Sequence, residues 1–427
     1  MQISFLGATG TVTGSKYLVE YKDKKVLIDC GLFQGFKELR LRNRAEFPID
    51  PALIDAVILT HAHIDHSGYI PLLIKNGFKG KVYCSSATYD LCKILLPDSG
   101  YLHEEDARRA NRYGYTRHKP ALALYTRENA LTSLEHFKVI DFGKPHYFEE
   151  DFHFTLSRSG HILGSAFVSL IAHNKTITFS GDLGRPNDPI MKPPARLQHT
   201  DYLLIESTYG DRRHDKGDPC QQIGKVIKST AAKGGTILIP TFAVGRAQSL
   251  LYYIHKLKQQ NAIPDIPVYM DSPMATNATN LLCRHNNEHI LPDGLCGEVC
   301  NTAAYTRTVE DSKALNNSPM PKVIISASGM ATGGRILHHL INLMGDPKNT
   351  ILFTGFQAGG TRGERIVKGE EMIKIHGNMH KLRAKVESLQ NISAHADYQE
   401  ILAWLRNFKN PPRETFITHG NPEAALS

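Results

Sequence analysis

His61-Ala62-His63-Ile64-Asp65-His66 directly follows the apolar run Ala56-Val57-Ile58-Leu59-Thr60. The run predicts a short buried strand. It ends in three imidazoles and a carboxylate, which a strand edge presents rigidly. Histidine and aspartate together suit zinc, with iron or manganese as alternatives. Alternation along an extended chain puts His61 and His63 on one side. Asp65 and His66 fall at the turn into a helix expected over Ser67-Gly68-Tyr69-Ile70-Pro71-Leu72-Leu73, where they can face a second cation. A solvated histidine-rich turn is the competing reading. Four suitable ligands at H-x-H-x-D-H spacing behind a strand count against it.

This pattern resembles the metallo-β-lactamase fold, an αββα sandwich of two mixed sheets flanked by helices. The resemblance implies further ligands at later strand ends, and the chain offers them in order. Ser159-Gly160-His161-Ile162-Leu163-Gly164-Ser165 follows the strand-like Phe152-His153-Phe154-Thr155-Leu156. Thr176-Ile177-Thr178-Phe179-Ser180-Gly181-Asp182 ends in an acid, and so does Val26-Leu27-Ile28-Asp29 before Cys30-Gly31. One cation would then take His61, His63 and His161. The other would take Asp65 and His66, with Asp182 bridging, since a carboxylate has two oxygens and a charge to offset two dications. Asp29 is expected outside the coordination sphere, accepting from a ligand imidazole N–H and fixing its tautomer. Two dications about 3.5–4 Å apart lower the pKa of a shared water and clamp both oxygens of an in-line displacement.

Composition fits a soluble cytoplasmic enzyme. The 427 residues suffice for about two or three domains. No apolar run has transmembrane length, and Met1-Gln2-Ile3-Ser4-Phe5-Leu6 is strand-like and unlike a signal peptide, so no membrane partner is expected. The seven cysteines are an odd, scattered set, and Cys296 and Cys300 form C-x-x-x-C without a matching pair. Free thiols are expected, neither a disulfide framework nor a cysteine–zinc site. Lys and Arg exceed Asp and Glu by eight, which leans towards an anionic substrate.

The middle of the chain changes pattern. Asp201-Tyr202-Leu203-Leu204-Ile205-Glu206 reads as a buried strand ending in an acid. Three strand–loop–helix units follow, with loops Thr241-Phe242-Ala243-Val244-Gly245-Arg246, Gly329-Met330-Ala331-Thr332-Gly333-Gly334-Arg335 and Gly355-Phe356-Gln357-Ala358-Gly359-Gly360-Thr361-Arg362-Gly363. Alternating strands and helices imply a parallel sheet. Glycine lets backbone N–H groups approach an anion, and helix N-termini favour negative charge. Arg246, Ser328, Thr332, Arg335 and Thr361 are the candidate substrate contacts in these loops. Ordinary turns are the bland alternative, and no nucleotide fingerprint is present.

Two late motifs complete the pattern. Asn391-Ile392-Ser393-Ala394-His395-Ala396-Asp397-Tyr398 precedes an amphipathic helix, and Thr415-Phe416-Ile417-Thr418-His419-Gly420 ends the last strand. Glu206, His395 and His419 resemble the three extra motifs of the β-CASP branch of the metallo-β-lactamase superfamily, which includes the endonuclease subunit of the pre-mRNA 3′-end cleavage machinery and ribonuclease J. The resemblance covers nearly the whole chain. It implies a sandwich domain with an inserted β-CASP α/β domain, and hydrolysis of phosphodiester bonds in single-stranded RNA by two zinc ions per chain. Products would carry a 5′-phosphate and a 3′-hydroxyl. Cleavage would be endonucleolytic, with 5′-to-3′ exonuclease activity left open. Asp65 and Asp182 would serve the metals, and His419 would complete the second sphere. By the same resemblance, His395 would donate a proton to the leaving oxygen, and Glu206 would hold its imidazole. A histidine rather than an apolar residue at position 419 favours RNA over DNA.

The same reading places the lactamase-type domain at about 1–208 and 384–427, with the insertion at about 209–383 closing over a cleft. His103-Glu104-Glu105-Asp106-Ala107-Arg108-Arg109-Ala110-Asn111-Arg112-Tyr113, followed by Tyr115, Arg117, His118 and Lys119, reads as a solvated helix with acid early and base late; stacking along RNA is the sharper alternative. Two departures stand out. The sequence stops eight residues after His419, and Asn421 stands where relatives commonly carry Glu. Both lead one to expect a looser second metal sphere, and the short end removes a segment some relatives use to form homodimers, leaving dimerisation open. Alternatives in other classes are a small-molecule ester, thioester or amide hydrolase, a DNA-directed nuclease, and a silent RNA-binding subunit.

Overall fold

The computed structural model describes residues 1–114, 116 and 118–427. Tyr115 and Arg117, named above as candidate RNA contacts, lie outside the described residues. The chain divides into two units, one of Met1–Arg213 with His395–Ser427 and one of His214–Ala394.

The first unit holds two six-stranded sheets. In one, Gln2–Phe5, Tyr17–Tyr21 and Lys24–Ile28 run antiparallel, and Ala56–Ile58, Lys81–Cys84 and Phe137–Val139 then add parallel to Lys24–Ile28. The other runs Glu414–Thr418, Tyr202–Glu206, Lys175–Phe179, Ala166–Ala172, Phe152–Arg158, His146–Glu149. Alternation along the strands supplies the core. Val19, Val26, Ile28 and Ile58 of the first sheet pack with Phe154, Leu156, Val168, Leu170, Ile177 and Phe179 of the second. The neighbouring Phe167, Leu203 and Ile205 face the other way, onto Ile401 and Trp404 of the helix Tyr398–Leu405. Two packed sheets with this helical layer make three of the four layers of the αββα arrangement.

Strand direction brings the motifs to one place. Lys175–Phe179, Tyr202–Glu206 and Glu414–Thr418 are mutually parallel. Phe152–Arg158 runs the same way, because each of its two steps to Lys175–Phe179, through Ala166–Ala172, is antiparallel. The chain therefore leaves these strands towards His161, Asp182, Glu206 and His419 at one edge. In the other sheet Ile28 and Ile58 are in register on parallel strands, which puts Asp29 beside Thr60. The N–H of Ala166 donates to the Thr60 carbonyl at 2.9 Å and joins the two sheets at that edge.

The second unit is a six-stranded, all-parallel sheet ordered Ala304–Tyr305, Val268–Met270, Lys322–Ser326, Thr236–Pro240, Thr350–Thr354, Lys385–Leu389. The central strands are buried along their whole length, as expected of parallel strands covered on both faces. Helices Pro219–Ala231 and Arg246–Gln259 cover one face, and Ile336–Leu343 the other. The second boundary falls later than the expected 383, because Lys385–Leu389 pairs with Thr350–Thr354 and so belongs to the insertion's sheet; the first falls after Arg213 rather than 208.

Two local expectations are corrected. The helix after the histidine motif is two short ones, Ile64–Ser67 and Ile70–Lys75, so Asp65 and His66 lie inside the first rather than before it. The thiols are not all free: Cys283 and Cys296 form a disulfide with Cα atoms 5.7 Å apart. Folding brings the end of helix Pro273–Arg284 against Leu295–Cys300, which cysteine spacing alone does not reveal. Residues 103–113 are the last part of a longer helix, Ser86–Tyr113, that ends at a left-handed Gly114. No helix among the described residues is long and apolar enough to cross a membrane.

Candidate metal centre

Seven side chains converge at the shared edge in two overlapping groups. His61 Nε2 lies 3.1 Å from His63 Nδ1, and His161 Nε2 lies 3.3 Å from the same atom. Asp182 Oδ2 is 3.3 Å from both His61 Nε2 and His161 Nε2. Its other oxygen, Oδ1, is 3.2 Å from His66 Nε2. His66 Nε2 lies 3.1 Å from His419 Nε2, and Asp65 Oδ2 is 3.4 Å from His419 Nε2.

The backbone holds this geometry from behind. The Cys30 N–H donates to the His66 carbonyl at 2.7 Å, and the Ser15 N–H to the Asp65 carbonyl at 2.8 Å. The approach is so close that a Cβ on Gly31 would stand 1.6 Å from the Asp65 carbonyl oxygen. Asp29 and His419 both adopt left-handed backbone, at φ 58° and 48°, a conformation costly outside glycine and concentrated at functional sites. The His419 N–H donates to the Ala8 carbonyl at 2.8 Å, and its ring Nδ1 meets the Thr208 hydroxyl at 3.1 Å. His419 is buried.

Hydrogen bonds assign the tautomers. Asp29 Oδ2 accepts from His66 Nδ1 at 2.7 Å and from the Thr60 hydroxyl at 2.8 Å, while Oδ1 accepts from the Thr60 N–H at 2.7 Å. The Thr60 hydroxyl, its proton used on Asp29, accepts from His61 Nδ1 at 3.0 Å. His61 and His66 therefore donate from Nδ1 and turn Nε2 inward. Thr60 and Thr208 are partners that motif reading missed; each adjoins a motif residue, but nothing in its type distinguishes it from an ordinary strand-end threonine.

This donor set fits cations. Ring nitrogens 3.1–3.3 Å apart would repel if both turned lone pairs inward, and a positive charge between them removes that conflict. Zinc–nitrogen bonds of about 2.0–2.1 Å at tetrahedral angles put ligand nitrogens about 3.3 Å apart. Asp182 Oδ1 is buried, and no hydrogen-bond donor reaches it among the described residues. Burial lowers the pKa of His61 to about 3 and of His63 to about 4, and drives His161 well below its ordinary value, so these rings are neutral, the form in which an imidazole can coordinate. Burial also opposes charge on His66, but Asp182 and Asp29 on either side outweigh it and raise its pKa well above the usual value. Asp182 and Asp65 are pushed towards neutrality by burial, yet the surrounding histidines hold both below the usual carboxylate range.

Beside this cluster, His395 Nδ1 lies 3.1 Å from each oxygen of Glu206. Glu206 is fixed in turn by the N–H of Leu183 at 2.6 Å and of Thr208 at 3.3 Å. His395 is 3.9 Å from Asp182 Oδ2 and is the more exposed of the pair.

Residues 9–219 match the metallo-beta-lactamase superfamily, 247–366 the Beta-Casp domain, and 379–427 the Zn-dependent metallo-hydrolase RNA specificity domain. The chain is 36% identical to Ribonuclease TTHA0252 of Thermus thermophilus, over 100% of this chain and 95% of that protein. The chain belongs to the β-CASP family of metallo-β-lactamase-fold ribonucleases. It is 29% identical to the transcription termination factor FttA of Methanocaldococcus jannaschii, over 100% of this chain and 68% of that protein. A crystal structure of a protein of unknown function from Enterococcus faecalis V583 shares the fold, with a TM-score of 0.55 at 14% identity, covering 100% of this chain and 95% of that one. The metallo-β-lactamase and β-CASP parts make the chain a metal-dependent hydrolase.

In the β-CASP insertion, the candidate contacts sit in loops at the C-terminal ends of three adjacent parallel strands. Gln357 Nε2 donates to the Gly329 carbonyl at 3.3 Å, and the Gly363 N–H to the Met330 carbonyl at 2.9 Å, so two of the loops form one cluster. Arg246 is buried, and its guanidinium occupies the space that a Cβ on Gly355 would need, 2.2 Å from Nη1. The Ser328 and Thr332 hydroxyls lie 3.1 Å apart. Thr361 caps the helix Arg362–Val367, accepting from the Glu364 N–H at 3.2 Å and donating to the Ala358 carbonyl at 2.7 Å. Arg335 turns inward instead. Its Nη1 meets Asp271 Oδ1 at 2.6 Å, and Nη2 donates to the Arg307 carbonyl at 3.0 Å. Asp271 also accepts from Ser312 at 2.5 Å and from His339 Nε2 at 2.6 Å. His339 is thus a structural histidine.

Proposed function

We propose that this β-CASP chain hydrolyses single-stranded RNA with two zinc ions, cutting within the strand and leaving 5′-phosphate and 3′-hydroxyl ends. The observation that carries the reading is Asp182, whose Oδ2 lies 3.3 Å from His61 and His161 Nε2 while its Oδ1 lies 3.2 Å from His66 Nε2. His61, His63 and His161 would hold one cation, Asp65, His66 and His419 the other, and Asp182 both. Bound there, two cations would supply an acidified water and screen the phosphate charge. The ribonuclease name of the Thermus relative and the RNA-specificity match over 379–427 support RNA as substrate.

The protein's own groups account for the leaving oxygen. With Nδ1–H donated to Glu206, the His395 imidazole has Nε2 to carry the proton that the departing 3′-oxygen needs. The Glu206 carboxylate offsets the ring's charge before transfer and is itself kept in place by two backbone N–H groups. Asp29 and Thr60 keep His66 and His61 in the tautomers that present Nε2. Arg246, Ser328, Thr332 and Thr361 are the insertion's candidate phosphate contacts, whereas Arg335 is assigned to Asp271.

Incubating zinc-loaded protein with circular, 5′-phosphorylated and 5′-hydroxyl RNA tests this reading. Opening of the circle is expected. An intact circle alongside degraded linear RNA would reassign the chain as an exonuclease. Turnover of a thioester or of single-stranded DNA with all three RNAs intact would overturn RNA as substrate.

A further inference from the structure

Three cysteines from two neighbouring helices meet inside the insertion. Cys283, near the end of helix Pro273–Arg284, is bonded to Cys296, and Cys300 Sγ lies 3.1 Å from Cys283 Sγ. Cys296 and Cys300 are four residues apart on helix Leu295–Cys300. That spacing puts both sulfurs on one face, one turn apart. All three sulfurs lie within 4.8 Å of one another. Cys283 and Cys300 are partly exposed, and Cys296 is buried. The remaining four cysteines, Cys30, Cys84, Cys92 and Cys220, are buried elsewhere.

We propose that Cys283, Cys296 and Cys300 form a thiol–disulfide site in which Cys283 exchanges between two partners, and which small-molecule disulfides oxidise and small thiols reduce. In the exchange, the Cys300 thiolate forms a bond to Cys283 Sγ and the Cys283–Cys296 bond breaks. The electron pair leaves on Cys296 Sγ, which takes up the proton Cys300 gave up. Nothing is oxidised or reduced overall. Starting from three thiols, one disulfide of the glutathione class is consumed and two small thiols are released.

The surroundings suit a slow, held state. Burial pushes the Cys300 thiol up to about 11, so little of it is thiolate at neutral pH. Its backbone is pinned, with the Tyr305 hydroxyl donating to the Cys300 carbonyl at 2.6 Å. Val299, one residue before, is buried in the same core as Leu250, Leu251 and Ile254 of helix Arg246–Gln259. Either disulfide therefore ties the end of Pro273–Arg284 to a helix already anchored in the insertion's core.

Oxidised glutathione added to the reduced full-length protein tests the site, with free thiols then alkylated and disulfide peptides mapped by mass spectrometry. Wild type is expected to yield both the 283–296 and the 283–300 linkage. Cys296→Ser should yield only 283–300, Cys300→Ser only 283–296, and Cys283→Ser neither. Absence of the 283–300 linkage from both wild type and Cys296→Ser would overturn the exchange. So would one fewer zinc per chain in unoxidised Cys283→Ser than in wild type, because the three sulfurs would then be a metal site.

Discussion

His61, His63 and His161 turn ring nitrogens towards one another at 3.1–3.3 Å, whereas Ser328, Thr332, Arg335 and Thr361 direct polar atoms at their own chain. Both groups sit in loops at strand ends, and both read as candidate site residues in the sequence. The difference is one of satisfaction. In the sandwich, hydrogen bonds to Asp29, Thr60 and Thr208 engage the far side of the His66, His61 and His419 rings and leave their inward nitrogens for a cation. In the insertion, the loops mostly satisfy each other, so they can shape a surface without requiring a ligand. Substitutions should therefore separate the two regions: metal content and chemistry on one side, stability and modest affinity on the other.

The largest effect is expected at Asp182. Asp182→Ala should lose both cations, because each oxygen faces a different nitrogen set. Loss of metal-derived charge stabilisation worth several kcal/mol predicts a fall in turnover of roughly 10³-fold or more. Elemental analysis against wild type checks the stoichiometry, expected at two zinc ions per chain. Retention of one full equivalent would mean that Asp182 serves a single ion.

His395→Ala comes next. It should keep both metals and still bind RNA, while turnover falls roughly 10²–10⁴-fold, the usual contribution of a positioned general acid. The defect should shrink on an activated aryl phosphodiester, whose leaving group needs no proton. Glu206→Gln should follow the same pattern more mildly. If His395→Ala loses a metal instead, the ring belongs to the coordination sphere and the proton donor lies elsewhere.

Asp29→Asn probes the support behind the ligands. It weakens the acceptor for His66 Nδ1 and the anchor of Thr60. Metal affinity should drop by about 10–100-fold, mainly at the site of His66 and His419. A zinc titration with a competing chelator reads this directly, and equal weakening at both sites would show that Thr60 relays the change to His61.

Much of the first region was legible because ligand chemistry is carried by residue type. Histidine and aspartate at strand ends are few, and their order along the chain matched the order of motifs. The sequence also contained the parallel insertion, since Ile237, Leu238 and Ile239 or Val323, Ile324 and Ile325 form unbroken apolar runs. What stayed hidden depends on pairing across space. Lys385–Leu389 reads as a continuation of the last motifs, yet it hydrogen-bonds into the insertion's sheet. Cys283 and Cys296 meet only because two helices pack together. Arg335 stands in a glycine-rich loop like a phosphate ligand, and only the fold reveals the buried Asp271 beneath it.

Arg335 supplies the smallest catalytic effect and the sharpest contrast. With its guanidinium committed to Asp271 and the Arg307 carbonyl, Arg335→Ala should change RNA affinity by less than one phosphate contact, about 0.7 in the log–log salt slope. The cost should appear in stability, and it should depend on pH. Burial works against ionisation of Asp271, but bonds from His339, Ser312, Thr306 and Arg335 outweigh it and hold its carboxyl well below the usual range. A carboxylate with a depressed folded-state pKa contributes its full stability above the unfolded value, about 3.9, and loses it as pH falls towards the depressed value. Acid should therefore narrow the gap between wild type and Asp271→Asn below about pH 4, where the wild-type carboxylate no longer adds its full share. Denaturant unfolding at pH 3 and pH 7 measures that gap. An unchanged gap, together with a salt slope lowered by a full phosphate in Arg335→Ala, would move Arg335 from the scaffold to the RNA.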